Sequence, residues 1–139
     1  MIIVLDTNVL VAGLLNPFGP PGRILDLALS GDVRLAYDDR ILAEYREVLG
    51  RSKFDFDPAP VADLLAYIVA EGEHVTATPL SVELPDQNDL PFLEAAYTVR
   101  AEVLVTGNVR HYPGSSRRGV AVLSPAEFFV RWQASHESR

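Results

Sequence analysis

Asp6 closes an otherwise uninterrupted apolar run, Ile2 to Leu5, and a carboxylate in that setting is costly unless hydrogen bonds or a cation satisfy it. Other oxygen-bearing side chains along the chain are suited to act with it: Glu44 within ILAEYREVL, Asp86 and Asp89 within DQNDL, and Thr106 and Asn108 within TGN. Converging carboxylates repel one another, a divalent cation relieves that repulsion, and hard oxygen donors favour Mg2+ or Mn2+ over zinc. Metal-dependent nucleases need acids clustered in this way, because the cation supplies the positive charge that meets the phosphate.

Each of these residues also has a plainer reading. Asp6 is placed to cap the helix that follows, and Asn8 either caps that helix or orients Asp6. Glu44 lies one turn from both Ile41 and Val48, at the edge of an apolar stripe, with Arg40 four residues earlier as an available partner. Asp89 fits an N-cap bonding the amide of Phe92, which leaves Asp86 as a solvated loop residue. Thr106 and Asn108 offer a hydroxyl and an amide to a phosphate oxygen, or else TGN is simply a turn. His111 and Tyr112 are candidates to touch a base or phosphate, or to be ordinary loop residues. The basic residues form two groups, Arg40, Arg46, Arg51 and Lys53 in one and Arg110, Arg117 and Arg118 in the other. Either group steers a polyanion or is a solvated surface.

Alternating strands and helices must position these groups. The β-branched run Ile2 to Leu5 reads as a central parallel strand buried on both faces. A short helix near Val9 to Leu15 follows, then the breaker NPFGPPG, with Pro21 opening a helix that carries Ile24, Leu25, Ala28 and Leu29. Val33 to Tyr37 reads as the second strand. Asp38 or Asp39 then caps a helix burying Ile41, Leu42, Tyr45, Val48 and Leu49. Asp57 and Pro58 launch a helix to about Glu71, burying Val61, Leu64, Leu65, Ile68 and Val69. His74 to Thr78 is a short third strand, and a helix beginning near Asp89 buries Phe92, Leu93, Ala96, Tyr97 and Val99. Glu102 to Val105 and Val120 to Leu123 are the last strands. Ser124 to Glu127, SPAE, is a capping box for a final helix, and the polar tail after Gln133 is expected to fray. This alternation predicts an α/β fold in which a parallel sheet is covered by helices and ligands bind beyond the carboxyl ends of the strands. Asp6 and Thr106 to Asn108 fall at such ends.

The sequence has 139 residues, close to half of them apolar, so it can bury one core, expected as a single domain over 1–133 with a polar tail over 134–139. It has no cysteine, which excludes a disulfide scaffold and thiolate metal sites and suits a reducing compartment. No apolar run approaches the ~20 residues that span a bilayer, and the start lacks a basic leader, so a cytoplasmic, membrane-free protein is expected. The net charge of −7 argues against a protein that coats nucleic acid non-specifically, but not against one that meets phosphate through a cation.

Taken in order from Met1 to about Trp132, the segments LDTNVLVAGLL, ILAEYREVL, DQNDLPFLEAA, VLVTGNVRHYP and SPAEFF resemble the PIN-domain family. More narrowly they resemble its VapC-like branch, the toxin components of type II toxin–antitoxin systems. That resemblance implies a three-layer fold with a parallel sheet of order 3-2-1-4-5. It places the family's acidic quartet on Asp6, Glu44, Asp89 and Asn108, with Thr106 as the hydroxyl of the last motif and Asp86 as an accessory acid; beside these, Asn8, Arg110 and His111 are candidates to support the site or the substrate. It further implies a Mg2+- or Mn2+-dependent endoribonuclease that leaves a 5′-phosphate and a 3′-hydroxyl, and a cognate antitoxin protein as partner. Asn108 departs from the pattern, since many PIN domains have aspartate there; one negative charge fewer predicts weaker retention of a second cation.

Two other functions compete. One is a PIN-like module that binds RNA or protein without cutting. The other is an aspartate-based phosphatase, weakened because Asn8 stands where such enzymes usually carry an acid and because the only lysine, Lys53, does not follow a late strand. The helices Val9 to Leu15 and Pro58 to Glu71 carry more apolar residues than one small sheet needs, which predicts a homodimer or an antitoxin-binding surface.

Overall fold

The structure is a computed structural model that describes residues 1–137. Five parallel strands, β1 (Ile2–Leu5), β2 (Arg34–Tyr37), β3 (Glu73–His74), β4 (Val103–Val105) and β5 (Val122–Leu123), form a sheet of order 3-2-1-4-5. Among the described residues six α-helices flank it: α1 (Thr7–Leu15), α2 (Pro20–Leu29), α3 (Asp39–Leu49), α4 (Pro58–Glu71), α5 (Leu90–Val99) and α6 (Pro125–Glu137). This is the expected α/β architecture and strand order. Central β1 has no exposed face, Ile3, Val4 and Leu5 being wholly buried, which is why it is apolar throughout instead of alternating.

Local sequence chemistry sets the helix ends. Asp38 caps α3 by accepting from the Ile41 amide at 2.9 Å, and Asp57 caps α4 by accepting from Ala59 at 3.1 Å. Ser124 and Glu127 form the reciprocal capping box, with the Glu127 amide 3.1 Å from Ser124 Oγ and the Ser124 amide 2.9 Å from Glu127 Oε1. The edge strands are shorter than the sequence suggests: β3 stops at His74 and β5 starts at Val122. β3 has only β2 as a neighbour, so little pairing extends it. The last helix runs into the segment expected to fray, because His136 stacks on Trp132 at 3.6 Å between ring centroids and Ser135 Oγ donates to the Trp132 carbonyl. Ser138 and Arg139, the end of the expected tail, lie outside the described residues. Tyr97 and Val69, read from their spacing as buried, are instead largely exposed. Among the described residues no helix is long and apolar enough to cross a membrane.

In the register of the sheet Leu5 stands beside Val105, so the carboxyl ends of β1 and β4 open side by side where the strand order reverses. The Asp6 amide donates to the Val105 carbonyl at 2.9 Å, and the Thr106 amide to Leu123 at 3.0 Å. The sheet thereby delivers Asp6 and Thr106 to one point.

Candidate active site

Asp6 stands at the N-cap position of α1, yet its side chain caps nothing. Its Oδ2 instead accepts from Thr106 Oγ1 at 2.9 Å and from the Tyr112 hydroxyl at 3.0 Å, while the residue is only 5% exposed. Burial holds the Asp6 carboxyl above its ordinary pKa, partly offset by those two hydroxyls. Both side-chain donors fall on one oxygen of the carboxylate, Oδ2. Thr106 is wholly buried and its Oγ1 also accepts from the Asn108 amide at 3.0 Å, so the TGN turn is tied to the carboxylate it supports.

Glu44 projects from α3 to the same place. It does not pair with Arg40; the Thr7 hydroxyl donates to its Oε2. Arg40 turns away, donating to Asp38 Oδ2 at 2.6 Å and to Glu94 Oε1 at 2.8 Å. Burial raises the Glu44 pKa, the Thr7 bond opposes this, and the charges of Asp6 and Asp86 raise it further.

Asp86 and Asp89 arrive on the short 3-10 turn Gln87–Asp89 before α5. Asp86, read from the sequence either as a solvated loop residue or as an accessory acid, caps this turn, accepting from the Asn88 amide at 2.9 Å. Asp89 makes no side-chain cap; its Oδ2 lies 3.0 Å from His111 Nδ1. Burial first, then the charge of Asp6, pushes its pKa from 3.8 to about 6, with His111 opposing. Asn8 Oδ1 accepts from the Gly107 amide at 2.9 Å, which locks the TGN turn to α1. A Cβ on Gly107 would stand 3.2 Å from that oxygen, so a larger residue there must push Asn8 aside.

Glu44, Asp86 and Asp89 line one open cleft of about 420 Å³ with Thr7 and Asn8. Asp6 adjoins it closely enough for its charge to raise both Glu44 and Asp89. A roomier groove of about 820 Å³ between the end of α3 and α4 holds none of these acids; its lining is mainly apolar, with Arg46, Arg51, Ser52 and Asp55 at its polar side. Asn108 is exposed and engaged with Thr106 and His111 through its backbone; it does not line the cleft. Arg110 is exposed on the adjoining turn Val109–His111.

The oxygen donors and their mutual repulsion suit a hard dication in kind. Among the described residues, however, no three carboxylate or imidazole groups are close enough to hold a metal ion together. Protein donors occupy the acids instead: Thr106 and Tyr112 on Asp6, Thr7 on Glu44, and His111 beside Asp89. Thr7 escaped the sequence reading because it looks like an ordinary first-turn residue. Tyr112, considered there as a contact for substrate or an ordinary loop residue, is wholly buried and turned toward Asp6.

The PIN domain family profile matches residues 2–110. Among solved structures, VapBC2 from Rickettsia felis, crystallised bound to a DNA fragment from its promoter, is similar at 18% identity with a TM-score of 0.57, covering 89% of this chain and 98% of that one. No curated protein matches. PIN domains are generally nucleases and typically use divalent metal ions. With more than half its length matched by the profile, this chain belongs to the PIN domain family.

Proposed function

We propose that the protein is a Mg2+- or Mn2+-dependent endoribonuclease, the toxin component of a toxin–antitoxin pair. The observation that carries this reading is the cleft: three acids from two separate segments line it, and the buried Asp6 adjoins it at the carboxyl end of β1. Asp6, Glu44 and Asp89 would hold the cation, with Asp86 as an accessory acid. When bound, such an ion acidifies water and stabilises charge on the phosphate oxygens during in-line displacement. The chain's own residues do the positioning. Thr106 and Tyr112 fix the Asp6 carboxylate, Thr7 fixes Glu44, and Asn8 holds the turn from which Asn108 projects. Arg110 and His111 border the site as donors for a phosphate.

Likeness to VapBC2 supports an antitoxin as the protein partner. Exposed Leu15, Phe18 and Val69, together with the groove on α4, support a surface for that partner or for a second copy of the chain. The test compares wild type with Asp6→Ala, in cells for growth arrest and in vitro on mixed RNA with Mn2+, Mg2+ or chelator. Arrest and metal-dependent cleavage are expected in wild type and absent in the variant; metal-independent cleavage that persists in the variant overturns the reading.

One observation favours a second reading, a binding module of the same fold. Asn108 is neutral, and no three of the described acids and histidines stand close enough to hold a metal ion. Mn2+ titration separates the two. A cation held by the native site stabilises it by about 2.7 kcal/mol at a hundred times its Kd, and Asp6→Asn should erase that gain. No stabilisation at any Mn2+ concentration would favour the binding module.

A further inference from the structure

The loop between α3 and α4 carries the sequence RSKFDF, whose two phenylalanines have different surroundings. Phe56 packs against the hydrophobic core, whereas Phe54 is partly exposed and lines the acidic cleft with Glu44 and Asp89. The rings lie nearly parallel, 15° apart with centroids 5.5 Å from each other, so Phe56 backs Phe54 and sets its plane. Lys53 Nζ lies over the Phe54 ring, 5.0 Å from its centroid, as an exposed cation that a flat partner can displace, and Arg51 lies on the cleft wall. The backbone holds this arrangement in place: the Phe54 amide donates to Arg51 and the Asp55 amide to Ser52, with Asp55 in the left-handed region at φ 51°.

An aromatic ring at the mouth of an acidic cleft is an odd place to leave apolar surface, unless a flat apolar partner covers it. We propose that Phe54 is a base-stacking subsite, taking one nucleobase of a single-stranded nucleic acid while Lys53 and Arg51 meet the neighbouring phosphates. The inference rests on the nuclease reading above. Charge favours this path. The protein is acidic overall and the cleft wall repels phosphate, so a strand must enter where cations stand. Among the described residues the Arg51 side chain pairs with the exposed Glu47 through two bonds, at 2.8 and 3.1 Å, a solvent-screened i,i+4 pairing that a phosphate can displace. A single strand is required because a base within a duplex already has both faces stacked.

The experiment measures anisotropy of a short labelled single-stranded RNA in the Asp6→Asn background, beside a strand with the same phosphates but abasic sugars. Phe54→Ala and Phe54→Leu are expected to weaken RNA binding about tenfold and to leave the abasic strand unaffected, whereas Phe54→Trp, which keeps a π face, stays within about threefold. Lys53→Ala should weaken both strands. The leucine variant keeps the position apolar, so the comparison stands even if the alanine variant folds poorly. RNA affinity unchanged in Phe54→Leu, or equal affinity of the parent for RNA and the abasic strand, overturns the subsite. Cleavage by the otherwise wild-type enzyme is scored in parallel: if RNA is cut while Phe54→Leu binds normally, the subsite alone fails; if RNA is neither bound nor cut, both readings fail.

Discussion

Tyr112 and Thr106 both donate to Asp6 Oδ2, so the orientation of the central carboxylate is set by two hydroxyls outside its own strand. Tyr112→Phe removes one of them with little change of volume. The expected result is a loss of about 1.5–3 kcal/mol in urea denaturation, as for one hydrogen bond to a charged group, and Mn2+ affinity about tenfold weaker by calorimetry. Unaltered Mn2+ affinity would make the tyrosine a packing residue only. Asp89 gives a pH test. Its folded pKa of about 6 exceeds its ordinary 3.8, so between those values the folded state binds the extra proton. Its contribution to stability is therefore full at low pH and is lost as pH rises through about 6. In the metal-free protein, Asp89→Asn should remove that component, so the variant gains on wild type as pH climbs from about 4 to about 6 in thermal melts. A difference independent of pH would show that Asp89 titrates normally.

Between elements, the least expected feature is the ion cluster in which half-exposed Arg40 meets two buried carboxylates. Arg40 on α3 bridges Asp38 and Glu94, and the other Glu94 oxygen accepts from the Leu80 amide at 2.7 Å, so α3, α5 and the segment before α5 are tied at one node. Both carboxylates are nearly inaccessible, which makes removal of their shared cation more damaging than loss of a surface pair. Arg40→Ala is expected to destabilise by about 2–3 kcal/mol in chemical denaturation; a loss near zero would show that solvent already screens the node. This node also marks where reading the sequence fails. The strand IIVL, the Asp57 cap and the SPAE box are local patterns, and each element formed as its residues dictate. Glu94 is flanked by Phe92, Leu93, Ala95 and Ala96, and helical spacing assigns the buried face to the apolar neighbours. Its partner lies 54 residues away, so no local signal announces that it is buried. Asp6 and Glu44 were legible as candidates because charge beside apolar residues is anomalous in one dimension, and Asp86 and Asp89 because two acids stand three apart at a helix start. Thr7 and Tyr112 were not, because a hydroxyl has ordinary alternatives everywhere and its role depends on contacts across 37 and 106 residues.

For the molecule as a whole, the polar chemistry and the unburied apolar surface lie close together. Phe18 is 90% exposed in the corner between α1 and α2, Leu15 borders the acidic cleft, and Val69 lies in the apolar groove of α4. On the proposed association, sedimentation at tens of micromolar should report a dimer, or a complex when the antitoxin is present, and Val69→Glu should weaken it. A monomer under those conditions, with wild type and variant alike, would leave the exposed groove without a second copy to cover it.

The strands supplying the site are adjacent in space but distant in order, since β4 slots in beside β1 only after β2 and β3 have been laid down on the other side. A ribosome that has released Asp6 and Glu44 has not yet made Thr106 or Tyr112. A growing chain therefore carries Asp6 without the two hydroxyls that aim it, and the cleft is complete only once the fourth strand has closed the sheet.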